Sequence, residues 1–322
     1  MPSGTIKALS AEDFSAAFGE SINPFVAERI RSYAFRYVEF SRRETDELLK
    51  TIVQTLQKSE VATSGDHRLD EWERGWGENL DLVSRHPDDK LSIIPKYFGK
   101  YDAIRWCGRF IRPVSPQFEY RSLAVIQDWL FDKYLRDVDV IYEFGCGTGY
   151  NLLRAREFNP RACLWGLDWA TSSQKIIEQL ALNGIDSDIH GKRFDYFDPD
   201  ESFHLSRDSV VYTVASLEQV GDRWGKFVEY LLRNRPRLCV HIEPIAEVLD
   251  PDKLIDRLSI EYFRKRNYLH GFLNGLRQIE KQGKARIHRV QRSHIGSLFI
   301  EGYSIVVWSP VEVEEQEKAT EE

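Results

Sequence analysis

The sequence predicts a doubly wound α/β fold: a mostly parallel sheet with helices on both faces, a C-terminal antiparallel strand pair, and a helical N-terminal cap. Three observations predict it. From residue 121 onward, apolar strand-like runs alternate with helical runs of about 10–15 residues. A glycine-rich loop separates the first of these strands from the helix after it. The last two strand-like runs, ARIHRVQRS and YSIVVWSP, have no helix between them and read as a closing antiparallel pair.

The elements follow in order. RSLAVIQDWLFDKYL is a helix and VDVIYEF a buried strand; after the glycine loop come the helix YNLLRAREF, the strand ACLWGLD and the helix TSSQKIIEQLALNG. SDIHGKRFD is a third strand, DSVVYTVASL a fourth, GKFVEYLLRN a helix, RLCVHIEP a fifth strand, and 251–281 a long helical stretch. Ahead of them, residues 11–60 carry apolar positions at three-to-four spacing. Residues 62–90 are polar and turn-rich around Trp72 and Trp76, and 91–120 combine three prolines with many aromatics and no clean period. That is the composition of a lid rather than of a sheet. The expected organisation is a cap and substrate lid over 1–120, a ligand-binding domain over 121–310, and an acidic disordered tail over 311–322.

Composition narrows the function. The 322 residues are 42% hydrophobic and 30% charged, with a net charge of −7 and a pI near 5.7. That balance argues against a nucleic-acid partner gripped by a broad basic face. No stretch approaches the ~18 apolar residues of a membrane span, and MPSGTIKALSAEDF has no apolar leader core. The four cysteines, Cys107, Cys146, Cys163 and Cys239, share no C-x-x-C spacing and read as reduced, structural thiols in the cytoplasm. No spacing of carboxylates or imidazoles announces a metal, and none is expected.

The segment from Tyr142 to Asn151, YEFGCGTGYN, follows an apolar strand and opens a helix. Gly145, Gly147 and Gly149 let the backbone turn sharply and approach a ligand that a Cβ would exclude. In a dinucleotide fingerprint the third glycine would fall at Tyr150. The pattern E-x-G-x-G-x-G resembles the first motif of the class I S-adenosylmethionine (SAM)-dependent methyltransferases. The resemblance, which covers about residues 121–310, implies SAM as cofactor. Glu143 would then accept from its ammonium group, and Gly145, Cys146, Gly147, Gly149 and Asn151 would wrap its methionine end. Asp168, at the end of the second strand, would take the ribose hydroxyls, having two acceptor oxygens in one plane. Trp169 would lie against adenine, Asp195 with Tyr196 would meet the adenine edge after the third strand, and Ala215 would border the site after the fourth.

Methyl transfer needs an aligned nucleophile and, for a hydroxyl acceptor, a base. Strand alternation puts His241 and Glu243 on one face, polar residues in a strand expected to be apolar. His241 is the natural base near neutral pH, and Glu218 or Glu243 would orient it or grip the substrate. Tyr97, Arg105, Trp106 and Tyr120, from the aromatic segment, are the acceptor-pocket candidates. After the fourth strand the chain reads ASLEQ, without the D/N-P-P-[YFW] tetrad of amino-methylating nucleic-acid enzymes. The expected activity is therefore O-methylation of a small polar acceptor, such as a sugar or natural-product metabolite. An NAD(P)-dependent oxidoreductase and a catalytically silent SAM-binding module stay open beside it, and the oligomeric state is undetermined.

Overall fold

A computed structural model describes residues 4–59, 61–87 and 89–312. The N-terminal part contains β1 (Lys7–Ala8), α1 (Ala11–Phe18), α2 (Pro24–Tyr33), β2 (Arg36–Glu39), α3 (Arg42–Gln57), α4 (Leu69–Arg85), β3 (Ile104–Trp106) and β4 (Arg109–Pro113). Its helices begin where local chemistry satisfies their first N–H groups. Ser10 with Asp13 and Ser41 with Glu44 form capping boxes, and Asn23 caps α2 ahead of Pro24.

The remainder alternates as expected: α5 (Phe118–Tyr134), β5 (Val140–Phe144), α6 (Tyr150–Phe158), β6 (Cys163–Asp168), α7 (Thr171–Leu182), β7 (Ile189–Arg193), β8 (Val210–Val214), α8 (Gly225–Asn234) and β9 (Leu238–Glu243). Then come α9 (Leu254–Arg266), α10 (Phe272–Lys281), β10 (Ala285–Gln291), β11 (Ile295–Gly296) and β12 (Ser304–Pro310). The large sheet has the order β10-β12-β9-β8-β5-β6-β7, with β7, β6, β5, β8 and β9 parallel and β12 and β10 antiparallel. Alternate strand residues feed two cores. Ile141, Tyr212 and Val307 pack toward α5, α6 and α7, while Tyr142, Val211 and Val306 pack toward α8 and α10. Central β8 is buried along its whole length, whereas the edge strands β7 and β10 carry exposed basic residues that discourage further pairing. Among the described residues no helix is long and apolar enough to cross a membrane, and all four cysteines are free thiols.

The cap departs from its reading in three ways. The turn-rich segment 62–90 is largely the helix α4, and the long stretch 251–281 divides into α9 and α10. The aromatic segment 91–120 holds β3 and β4, and the cap is built on a five-stranded sheet, β1-β2-β4-β3-β11. Its last strand comes from the far end of the chain, Ile295 pairing with Trp106 and Gly296 with Arg105. The first helix of the second part starts at Phe118, slightly before the expected boundary. Of the expected tail, residues 313–322 lie outside the described residues.

Helix α5 joins the two parts, buried almost continuously from Ser122 to Phe131. Its Asp128, fully buried, pairs with Arg29 of α2 at 3.1 Å and with Arg154 of α6. Losing one of those partners would leave buried charge uncompensated.

At Gly296 a Cβ would overlap the Ile300 carbonyl oxygen and crowd the Glu301 backbone. Gly296→Ala is therefore expected to destabilise the protein by about 1–3 kcal/mol. Denaturant titration checks it; an unchanged midpoint would show that the chain there yields freely.

Candidate functional site

In an open α/β sheet, ligands bind beyond the carboxyl ends of the strands, where the strand order reverses. Here the order reverses at β5, with β6 and β7 on one side and β8 and β9 on the other. At that edge opens a cavity of about 530 Å³, floored by the loops after β5, β6, β7 and β8 and walled by the cap.

The glycine loop forms the floor's centre. Gly145, Gly147 and Gly149 all have positive φ, at 69°, 52° and 74°, and each faces something a Cβ would strike. At Gly145 it would overlap Ser216, at Gly147 it would lie 2.8 Å from the Trp76 ring, and at Gly149 it would meet Ile177. The first two glycines line the cavity, while Gly149 seats α6 on α7.

Asp168 is 5% exposed and lines the cavity. Its Oδ2 accepts from the Gly147 N–H and its Oδ1 from the Ala170 N–H, both at 2.9 Å. The Trp169 N–H also acts on the carboxylate, whose four lone-pair sites are still not all taken. Burial pushes the carboxyl up to about 6, against the pull of those N–H groups. Asp168 is free of capping duty because Glu73 of α4 caps α7 instead, accepting from Thr171 N–H at 2.6 Å and Ser172 N–H at 2.8 Å.

Glu143 lies under the floor. Its oxygens accept from Asn151 Nδ2 at 2.6 Å and from the Tyr212 hydroxyl at 3.0 Å, and burial pushes it up to about 8. It reaches the cavity only through Asn151, which Gln127 holds from the other side at 2.7 Å. Cys146, Trp169, Tyr196 and Ala215 line the cavity. Asp195 does not; it accepts from the Phe197 N–H at 2.8 Å and so turns the chain that presents Tyr196 and Phe197.

The catalytic candidates separate. His241 is fully buried in the sheet face covered by α10, with Phe272 edge-on at 5.1 Å. The Trp308 indole donates to its Nε2 at 2.9 Å, which leaves the proton on Nδ1, 3.0 Å from the Thr213 hydroxyl. Burial pushes it down to about 3. With both nitrogens engaged away from the cavity, it is placed as a neutral core histidine, not as the expected base. Glu243 stays beneath the cavity too. It accepts from the N–H groups of Ser216, Leu217 and Glu218 at 3.1–3.2 Å and from the Thr213 hydroxyl, and burial pushes it up to about 7. Glu218 alone of the three lines the cavity. Burial, then the nearby Glu243, push it up to about 8.

Of the acceptor candidates, Tyr97 lines the cavity. Arg105 is 2% exposed and donates to the carbonyls of Ile255, Leu298 and Phe299, latching the cap sheet to the C-terminal segment. Trp106 is core, packed on Phe14 at 4.9 Å, and Tyr120 stands beside Phe98, outside the lining. Sequence reasoning missed other parts of the lining: stacked Trp72 and Trp76, Glu119, and the tyrosines Tyr262, Tyr268 and Tyr303. The four-residue spacing of Trp72 and Trp76 was the available signal for the first pair; nothing local marks the tyrosines.

Ligand crevice, glycine loop and the acid that ends β6 stand together at the carboxyl edge of the sheet, beside the switch between β5 and β8. The fold is Rossmann-like. No protein-family model matches the chain, and no curated protein sequence matches it. Solved structures similar to it include the N-methyltransferase NodS from Bradyrhizobium japonicum with S-adenosylhomocysteine (SAH), at 12% identity and TM-score 0.47, covering 77% of this chain and 100% of that one. Human N-acetylserotonin methyltransferase with SAM follows at 10% and 0.44, covering 93% and 74%. The methyltransferase domain of a bacterial Hen1 is similar at 14% and 0.44, covering 58% and 98%. Likeness at this distance adds nothing to what the Rossmann-like sheet and its cavity say of function.

Cys163, Asp188 and His190 also converge, their ligand atoms within 4.8 Å of one another, but at the amino ends of β6 and β7, the opposite edge of the sheet.

Four cavity-edge acids are held above their ordinary values, Asp168 to about 6, Glu243 to about 7, and Glu143 and Glu218 to about 8. Such a carboxyl binds more protons folded than unfolded, so its contribution is full below the unfolded value and is lost as pH rises through the folded one. The thermal midpoint of the ligand-free protein is expected to fall as pH is raised from about 5 to about 8.5, with Glu218→Gln flattening the upper part of the slope. Scanning calorimetry across that range checks it; a rising midpoint would mean the acids are not held as described.

Proposed function

We propose that this chain is a SAM-dependent methyltransferase of the cytoplasm, acting on the hydroxyl of a small polar acceptor, with no nucleic-acid or membrane partner. One observation carries the reading. A backbone stripped of side chains and a buried acid with lone pairs to spare open together onto a cavity walled by the cap, with a second acid of near-neutral affinity in the same lining. The residues fit the cofactor. Its ribose hydroxyls match the open lone pairs of Asp168, the methionine end matches the floor of Gly145, Gly147 and Asn151, and an adenine ring matches the aromatic surface that Trp169 and Phe197, in tilted contact at 6.0 Å, turn to the cavity. The volume lies within the ~300–1,000 Å³ usual for pockets that bury a small molecule.

When bound, SAM supplies an electrophilic methyl on a sulfonium. The chain's part is to align the acceptor and take its proton. Glu218 is the group that suits that role: it lines the cavity, and a base works best when its affinity lies near the operating pH. Gln219 Nε2 donates to its Oε1 at 3.0 Å, and Arg68 holds Gln219 at 3.1 Å, so the carboxyl is oriented with its other oxygen toward the cavity. The enclosing cap, with Trp76 over the glycine loop, keeps water from the sulfonium and sets an upper size on the acceptor.

Calorimetric titration with SAH and, separately, NAD tests the cofactor: SAH is expected to bind and NAD not, and the reverse result would overturn the reading. Asp168→Ala should weaken SAH binding by about 1–3 kcal/mol, the cost of stranding hydrogen-bonding groups. Glu218→Gln should leave SAH affinity unchanged and lower kcat by about 10²–10⁴-fold. In the wild type kcat should rise with pH toward a plateau above about 8, since only the ionised carboxyl accepts a proton; an unchanged kcat in the variant would remove Glu218 from the chemistry.

A further inference from the structure

Two acids stand at the Tyr97 and Tyr303 end of the cavity, near enough for the charge of each to act on both phenols. Glu119, in the first turn of α5, is 9% exposed and lines the cavity. Its Oε2 accepts from the Gly99 N–H at 3.0 Å, the hydrogen bond it makes among the described residues, and no ion pair within 4.0 Å neutralises it there. Glu218, 8% exposed, makes its own bond to Gln219 and no ion pair among the described residues. A buried carboxylate without a counter-charge is costly, and each of these keeps an oxygen unengaged beside an open cavity.

Aromatic residues share the lining with them. The charges of Glu119 and Glu218 both act on the hydroxyls of Tyr97 and Tyr303, so these two rings of the lining lie near both acids. Tyr97 and Tyr101 are 40% and 41% exposed although both line the cavity. Around them, Tyr101 meets Phe299 edge-on at 5.2 Å and Tyr262 stacks on Phe299 at 4.8 Å, so the wall is continuous. Ring faces carry negative potential and attract a cation within ~6 Å of the centroid, most strongly where water is excluded.

The basic groups of the lining serve other partners: Arg68 pairs with Glu71, where Arg74 also acts, and Lys96 pairs with Glu78, though the charge of Arg68 reaches Glu218 as well. Arg266 lies over the Tyr268 ring at 5.2 Å, and its charge acts on Glu218 and Glu71. Lys100 is exposed and moderates Glu119 from the rim. Neither forms an ion pair with the two acids among the described residues.

We propose that this end of the cavity receives the positive charge of the methyl acceptor, an ammonium-bearing small molecule whose cation sits against Glu119 among Tyr97, Tyr101 and Tyr303 while its nucleophile is presented to Glu218. The acceptor is then an amino alcohol or amino sugar by class, not a neutral or anionic metabolite. This rests on the methyl-transfer reading, because it names the substrate of the same cavity. It also accounts for Glu119, which the transfer of a proton to Glu218 leaves unused. Burial holds the Glu119 carboxyl above its ordinary range, the state of an acid whose counter-charge arrives with the ligand.

Three probes of one shape and different charge test it: choline, its neutral carbon isostere dimethylbutanol, and the anionic dimethylbutyrate. Binding of each to the full chain is measured by ligand-observed NMR, with SAH present and absent. Choline is expected to bind roughly tenfold or more tighter than the alcohol, the gain usual for a desolvated cation at rings and carboxylate. Glu119→Gln, which keeps the acceptor for Gly99, should erase that preference without changing SAH affinity. Tyr97→Leu should weaken choline and spare the alcohol. Equal binding of choline and the alcohol, tighter binding of the butyrate through Arg266, a preference that survives Glu119→Gln, or binding of none of the three overturns the proposal. The cofactor reading fails separately, by absence of SAH binding, and the charge preference is still read in the SAH-free samples.

Discussion

The site depends on a carboxylate that never reaches it. Glu243 ends β9 beneath the cavity floor, and three consecutive N–H groups, of Ser216, Leu217 and Glu218, point at its two oxygens. Those amides begin the short turn Leu217–Val220, which carries no side-chain cap of its own. Without an acceptor at that point they would be buried donors lacking partners, at about 1–3 kcal/mol each. The carboxylate in turn needs the amides, because burial alone would drive it neutral. A chain of hydrogen bonds through Thr213, His241 and Trp308 fixes it from behind. The polar pair in β9 thus holds the turn that puts Ala215 and Ser216 beside the glycine loop and Glu218 in the cavity lining.

The same device recurs one strand over. Asp168 binds the Gly147 amide and so ties the loop after β5 to the end of β6, while Glu73 reaches across from the cap to cap α7. Buried acids set the spacing of backbone segments along the whole carboxyl edge. An acidic chain of net charge −7 suits that arrangement, with many of its basic residues spent on pairs such as Arg154 with Asp128 and Arg292 with Asp256 and Glu301.

Much of this was legible before the structure. Strands such as VVYTV are apolar throughout because both faces are covered, and helices such as YNLLRAREF are bounded by glycine and turn residues, so each carries its own local signal. Eight of the eleven residues assigned to the cofactor line the cavity, since a motif at a strand end fixes position as well as type. The cap was less legible, for physical reasons. Gly75 and Gly77 lower the helix propensity of DEWERGWGENL, and packing of Trp76 on Gly147 together with the Glu73 cap outweighs them. The hairpin of β3 and β4 turns on Cys107 and Gly108, both at positive φ; cysteine is not a residue by which such turns announce themselves. Alternation correctly set His241 and Glu243 on one face, yet a period of two does not reveal that α10 covers it. Arg105 spends itself on carbonyls almost two hundred residues away, which no local pattern encodes.

The two-residue strand β11 gives the molecule its wholeness. It is a stitch thrown from the end of the chain back into the first sheet, running between β10 and β12 of the other. The polypeptide therefore closes a loop around its own middle. The roof over the cavity is sewn down on both margins, by α5 where it begins and by this stitch where the chain returns. A roof held that way is anchored at two margins rather than hung from one, and melting of either half should carry the other with it.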